Sequence, residues 1–183
     1  AFDQNDLDIA TRTFLDENSS ALVTSHATDV ATLVGGAGNS FTTGKGVATG
    51  ISLYSESFTS LLPQANDYFA NKSITVQNHS YGVGIENFYG IESVSFDQQA
   101  LELPSLLHVF SSGNSGLSES NGKYAGLLGV ANLTGSFKQA KNVLVVTGSL
   151  ETGLVPAVNS MGPAYDGRIR PELTAYGNEG TSG

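Results

Sequence analysis

Four short apolar runs punctuate the chain: Ile51–Tyr54, Ile74–Asn78, Leu106–Ser111 and Asn142–Gly148, each bounded by polar or glycine-rich turns. Runs of this length and setting predict buried strands. In Leu106-Leu107-His108-Val109-Phe110 and Val143-Leu144-Val145-Val146 the apolar character is continuous, which suits strands covered on both faces, as in parallel sheets. Segments with helical spacing lie between the runs. The segment His26–Leu33 leads Val30, Leu33 and Val34 into i, i+3, i+4 spacing. Leu61–Ala70 carries Leu62, Ala65 and Phe69, with Pro63 acceptable in a first turn. Val94–Leu103 precedes the third run. Leu117–Lys141 is rich in Gly, Ser and Asn and predicts a loop with a short helix.

Alternation of strand and helix predicts an α/β fold with right-handed crossovers. Catalytic groups in such folds sit on loops and helix starts at the carboxyl ends of strands. The sequence shows no internal repeat, low-complexity tract or linker, and 183 residues suit one domain with a real core. Its 22 glycines call for many tight turns. A formal net charge of −9, from 8 Lys+Arg against 17 Asp+Glu, argues against nucleic-acid or anionic-membrane partners. No run of about 18 apolar residues is present, so no membrane span is expected. Ala1-Phe2-Asp3-Gln4 lacks the basic end and apolar stretch of a signal peptide, which fits a mature or cut form. Without cysteine, disulfides, a thiol nucleophile and thiolate metal sites are excluded.

Three residues stand out chemically. His26 opens a predicted helix among small residues, where its ring can face a cleft. Histidine alone has an unperturbed pKa suited to a general base near neutrality. Asn114 follows a predicted strand in Ser111-Ser112-Gly113-Asn114-Ser115-Gly116, where flanking glycines permit a tight turn that presents the amide. Ser182 follows Gly180-Thr181, and a serine hydroxyl becomes a nucleophile only when a base removes its proton. Taken singly, each has a bland alternative: a surface histidine, a turn asparagine and a terminal serine.

Taken together, these segments resemble the subtilases, the subtilisin-like serine proteases. Ser25-His26-Ala27-Thr28-Asp29-Val30-Ala31 is similar to the family's H-G-T-H-V-A, departing at Ala27 and Asp29. Gly46–Tyr54 is similar to the G-V-A-P-x-A-x-L segment, and Asn78-His79-Ser80-Tyr81-Gly82 to N-x-S-x-G. Ser111–Gly116 resembles A-A-G-N-x-G. Asn159–Gly177 is close to S-x-x-G-P-x-x-D-G-R-x-K-P-D-x-x-A-P-G, and Gly180-Thr181-Ser182 opens G-T-S-x-A.

The resemblance runs from about His26 to the last residue. It implies a subtilisin-like three-layer α/β fold, mostly parallel sheet with helices on both faces, truncated at both ends. Residues 1–183 are then part of a single peptidase domain. It further implies Ser182 as nucleophile, His26 as base and Asn114 as oxyanion donor. Ser80, Tyr81 and Gly82 would pair with an extended polypeptide substrate by strand addition. The family's aspartate, on an apolar run ending D-x-G, has no match here; Asp3, Asp6, Asp8 and Asp16 lack the following glycine, and the aspartate is expected upstream of Ala1. That gap motivates an alternative from another class, a catalytically inactive subtilase-like module that binds extended peptides or proteins. An esterase of unrelated fold is disfavoured, because the G-x-S-x-G elbow does not close.

No cofactor is expected. Calcium is possible by family resemblance, yet no Asp-rich loop fits a calcium pattern well enough to name ligands, and no metal-binding residue is assigned. The expected partner is a polypeptide substrate, with no nucleic acid and no membrane. Secretion follows from the resemblance. Tyr81 and Tyr89 are candidate cleft residues or simple packing.

Overall fold

The computed structural model describes residues 1–16, 19, 22–57 and 59–177. It divides into two compact units, Ala1–Ser60 and the chain from Leu61 onward.

The first unit holds β1 (Thr13–Leu15), α1 (Ser25–Gly35) and β2 (Leu53–Ser55), with β1 and β2 paired in parallel from Thr13↔Leu53 to Leu15↔Ser55. Helix α1 begins where Thr24, in extended conformation, accepts a hydrogen bond from Ala27 N at 3.2 Å. This satisfies one of the amides that a helix start leaves unpaired. The face it buries is not the expected Val30, Leu33, Val34 stripe, for Leu33 is 68% exposed. Ala27 and Ala31 instead meet Phe2, Ile9 and Leu53, and a Cβ on Gly35 would lie 3.1 Å from Leu53 Cδ1. Small side chains let the helix approach its neighbours closely, and close packing outweighs the larger aliphatics left outside. Arg12 ties the unit together by donating to Asp8 O, Gly35 O and Ile51 O at 2.7–2.9 Å. Asp8 accepts from Ser40 N at 2.9 Å and from the Ser40 hydroxyl, so this acidic residue secures a loop.

The second unit is a four-stranded parallel sheet in the order β3 (Val76–His79), β4 (Leu107–Ser111), β5 (Leu144–Ser149), β6 (Leu173–Tyr176). Helix α2 (Asn66–Lys72) precedes β3 and α3 (Ile91–Glu102) joins β3 to β4. The α2 start falls beyond Pro63, because Ala65 remains extended before the first turn. The stretch 117–141 is loop with two 3₁₀ turns, Gly122–Tyr124 and Ser136–Gln139.

Burial along the strands alternates, with His108, Phe110, Val145, Thr147 and Ser149 sealed while their neighbours are half-covered. The sealed face meets α3 and the Ser136–Gln139 turn. Phe96 stands edge-on to Phe110 at 5.1 Å, and Phe137 stacks on Phe110 at 5.3 Å. Leu133, Ala140, Val143 and Val145 complete this core, in which each buried phenylalanine contributes roughly 2–3 kcal/mol. Coverage of both faces, expected from the apolar runs, is therefore uneven.

The Gly162–Glu172 segment is an irregular loop pinned by Arg170. That guanidinium is buried, donates to Val143 O and Ala140 O, and pairs with Glu172. Glu172 in turn accepts from Val145 N at 2.9 Å, placing β6 against β5.

Candidate active site

His26 lies in the first turn of α1, exposed, one position before the packed Ala27. Thr28, also part of the H-x-T pattern, is structural: its Oγ1 accepts from Asp3 N at 2.9 Å and donates to Thr24 O at 3.2 Å. Ser182 lies outside the described residues. The described chain leaves β6 at Gly177.

In the second unit the structure brings two of the predicted segments together. Ser80–Gly82 continues from the end of β3, and Ser112–Asn114 from the end of β4, its parallel neighbour with His79 opposite Phe110. Parallel strands place their carboxyl ends along one rim, where α/β folds assemble their sites. Strand β3 is the edge of this sheet among the described residues. Ser80–Gly82 therefore prolongs an edge, the arrangement strand addition requires.

The residue between the two segments is Thr134, which sequence reasoning missed. A Cβ on Gly82 or on Gly113 would collide with Thr134 Oγ1. Gly113 also has φ of +110°, so glycine is demanded there by backbone and by space. Lys138, buried completely, donates from Nζ to Thr134 Oγ1 at 2.7 Å. Burial pushes its pKa down to about 7. Nothing in the local sequence marks Thr134. The one usable signal was the pair of glycines in N-x-S-x-G and S-S-G-N-S-G, each of which implies a close neighbour.

The Asn114 turn is held from a third side. Ser160, fully buried, accepts from Ser115 N at 2.9 Å and returns its own N–H to Gly113 O at 2.7 Å. Thr134 N donates to Ser112 O at 3.4 Å, and Gly116 N to Val158 O at 2.8 Å. Asn114 itself is exposed at the tip of this braced turn. The turn and the Asn159–Gly177 block, separate motifs in the sequence, thus form one structure.

Tyr81 is half-buried. Its ring packs against the core beside Phe137, 5.6 Å away, and its hydroxyl reaches inward to His79. Tyr89 is likewise packing, donating from its hydroxyl to Asp97 Oδ2 at 2.6 Å. Burial and that carboxylate push its pKa up to about 12. Among the described residues no group of three His, Asp or Glu side chains is arranged to hold a metal ion, and no helix is long and apolar enough to cross a membrane.

The second unit thus combines a parallel α/β framework with a glycine-lined rim and a braced asparagine turn. The subtilase family model matches residues 3–183, and the chain belongs to that family. Comparison with curated proteins finds no match. Among solved structures, the chain is similar to the prenylagaramide maturation protease PagA, with TM-score 0.69 and 20% identity over 97% of this chain and 60% of that one. It is also similar to the self-cleaved protease domain of PatA, with TM-score 0.64 and 17% identity over 91% of this chain and 59% of that one. These likenesses establish the fold. The chain spans about 60% of the length of the solved chains it matches.

Proposed function

We propose that the protein is a serine endopeptidase that hydrolyses peptide bonds through an acyl-enzyme on Ser182. The observation that carries this is the meeting of Ser80–Gly82 and the Asn114 turn around Thr134, in a chain of the subtilase family. Strand addition along Ser80–Gly82 lays an extended polypeptide across the rim. Ser182 Oγ attacks the scissile carbonyl while His26 takes its proton. The tetrahedral oxyanion is held by the Asn114 side-chain amide and the Ser182 backbone N–H. As the C–N bond breaks, His26 returns the proton to the leaving amine, and a water repeats the cycle to free the acid. A carboxylate that orients His26 belongs to this chemistry; no aspartate of the sequence stands in the D-x-G setting that would mark it. The substrate is polypeptide, and the reading includes secretion, supported by family resemblance alone.

The test is hydrolysis of unfolded casein by the full-length protein and by its Ser182→Ala and His26→Ala variants. Cleavage by the parent, reduced at least about 10³-fold in both variants, is expected. Cleavage that survives either substitution overturns the assignment.

A further inference from the structure

Behind the Ser80–Gly82 edge runs a line of buried polar side chains that peptide hydrolysis does not itself use. His79 ends β3, His108 lies in β4 and Gln99 in α3, and all three are buried. Tyr81 Oη lies 3.0 Å from His79 Nδ1, His79 Nε2 lies 3.1 Å from His108 Nδ1, and His108 Nε2 lies 2.9 Å from Gln99 Oε1.

The protons along this line have one consistent arrangement. Gln99 Nε2 donates to Gln64 O at 2.6 Å and to Asn66 Oδ1 at 2.8 Å, so its oxygen faces His108. A carboxamide oxygen only accepts, so His108 carries its proton on Nε2 and accepts at Nδ1. His79 then donates from Nε2, leaving its Nδ1 to accept the Tyr81 hydroxyl. Both imidazoles are neutral. Desolvation, then His108 and Lys138, hold His79 well below its ordinary pKa, and desolvation pushes His108 down to about 4. His79 faces Tyr81 from its own segment, His108 from β4, the rings of Phe96 and Phe110, and the Lys138 charge from the Ser136–Gln139 turn. His108 faces His79, Gln99 and the rings of Phe69 and Phe96.

We propose that the Tyr81–His79–His108–Gln99 line is a positioning device for polypeptide binding, which anchors the substrate edge to the core through Tyr81. The inference rests on the reading that Ser80–Gly82 receives the substrate strand. Of those three residues only Tyr81 sends a side chain into the core; Ser80 Oγ accepts from Asn78 Nδ2 at 2.9 Å, and Gly82 has no side chain. Holding Tyr81 inward fixes the backbone on either side of it before substrate arrives, which lowers the ordering cost of binding. Protonating His108 sets an N–H on Nδ1 against the N–H of His79 and breaks the line at its centre.

The test is the affinity of the full-length protein carrying Ser182→Ala for fluorescently labelled, unfolded casein, followed by anisotropy. Tyr81→Phe, at one end of the line, and Gln99→Leu, at the other, are each expected to weaken binding roughly fivefold to twentyfold. The double variant should be no weaker than the worse single one, because the residues act as a unit. Between pH 7 and pH 4 binding should weaken more steeply in the parent than in Gln99→Leu. Unchanged affinity in Tyr81→Phe, which deletes one oxygen and leaves the ring, overturns the proposal, as do multiplicative effects in the double variant or casein that does not bind at all. Binding with the expected pattern in a protein that hydrolyses nothing would leave the device standing and overturn the Ser182 assignment instead.

Discussion

Thr134 Oγ1 accepts a hydrogen bond from Lys138 Nζ at 2.7 Å while standing against both Gly82 and Gly113. One hydroxyl thus spaces the Ser80–Gly82 edge from the asparagine turn, and a buried amine fixes that hydroxyl. Removing one partner of such a pair leaves the other desolvated and unsatisfied, whereas replacing both by apolar groups of similar volume removes the need. Thr134→Val, which strands the buried amine, should therefore cost about 1–3 kcal/mol of stability, and Thr134→Val combined with Lys138→Met should cost less than that single change, in urea unfolding of both beside the parent.

The same core makes stability depend on pH with a defined sign. Lys138 has a folded pKa of about 7 against an ordinary 10.5, so between these values the unfolded chain binds more protons and stability rises with pH. His108 has a folded pKa of about 4 against 6.5, so stability falls as pH drops from 6.5 towards 4, by on the order of 3 kcal/mol from this residue. Urea midpoints measured from pH 4 to pH 10 should climb across both windows. Lys138→Met should flatten the upper one and leave the His108 contribution to the lower one in place.

Glycine at the asparagine turn meets two demands at once. Gly113→Ala forces a Cβ onto Thr134 from a left-handed backbone and should cost more than about 2 kcal/mol. Gly50, where an added Cβ meets open space, is the control. Gly50→Ala should change stability by no more than about 1 kcal/mol, measured in the same denaturant series.

Helix α1 and strands β2 to β5 were legible because each is written as an apolar run or a helical spacing. Strands β1 and β6 were not. Thr13–Leu15 is three residues long, and Leu173–Tyr176 is exposed along its length, so neither carries a buried pattern. The buried face of α1 was misassigned because Ala27, Ala31 and Gly35 contribute by closeness of approach, which hydrophobicity does not register. Asn114 and Ser80–Gly82 were singled out through motif order. Thr134, Lys138 and the His79–His108 pair were not, because their roles arise from contacts between distant stretches of chain, His79 with His108 and Gly82 with Thr134, that no local pattern records.

Asn114 makes a separable prediction. If its amide donates to the oxyanion, Asn114→Leu removes stabilisation made only in the transition state. Casein-peptide hydrolysis by the full-length protein should lose about 10²–10³ in kcat, the scale seen for an oxyanion asparagine in this family, with KM within about threefold. Comparable losses in KM would place Asn114 in ground-state binding.

The proposed chemistry turns on activation of Ser182 by His26. Its most direct measurement is covalent labelling of the full-length protein with a serine-directed fluorophosphonate, followed by mass spectrometry of the modified peptide. One stoichiometric adduct on Ser182, lost in His26→Ala, is expected. No adduct, an adduct on another serine, or labelling indifferent to His26 would contradict it.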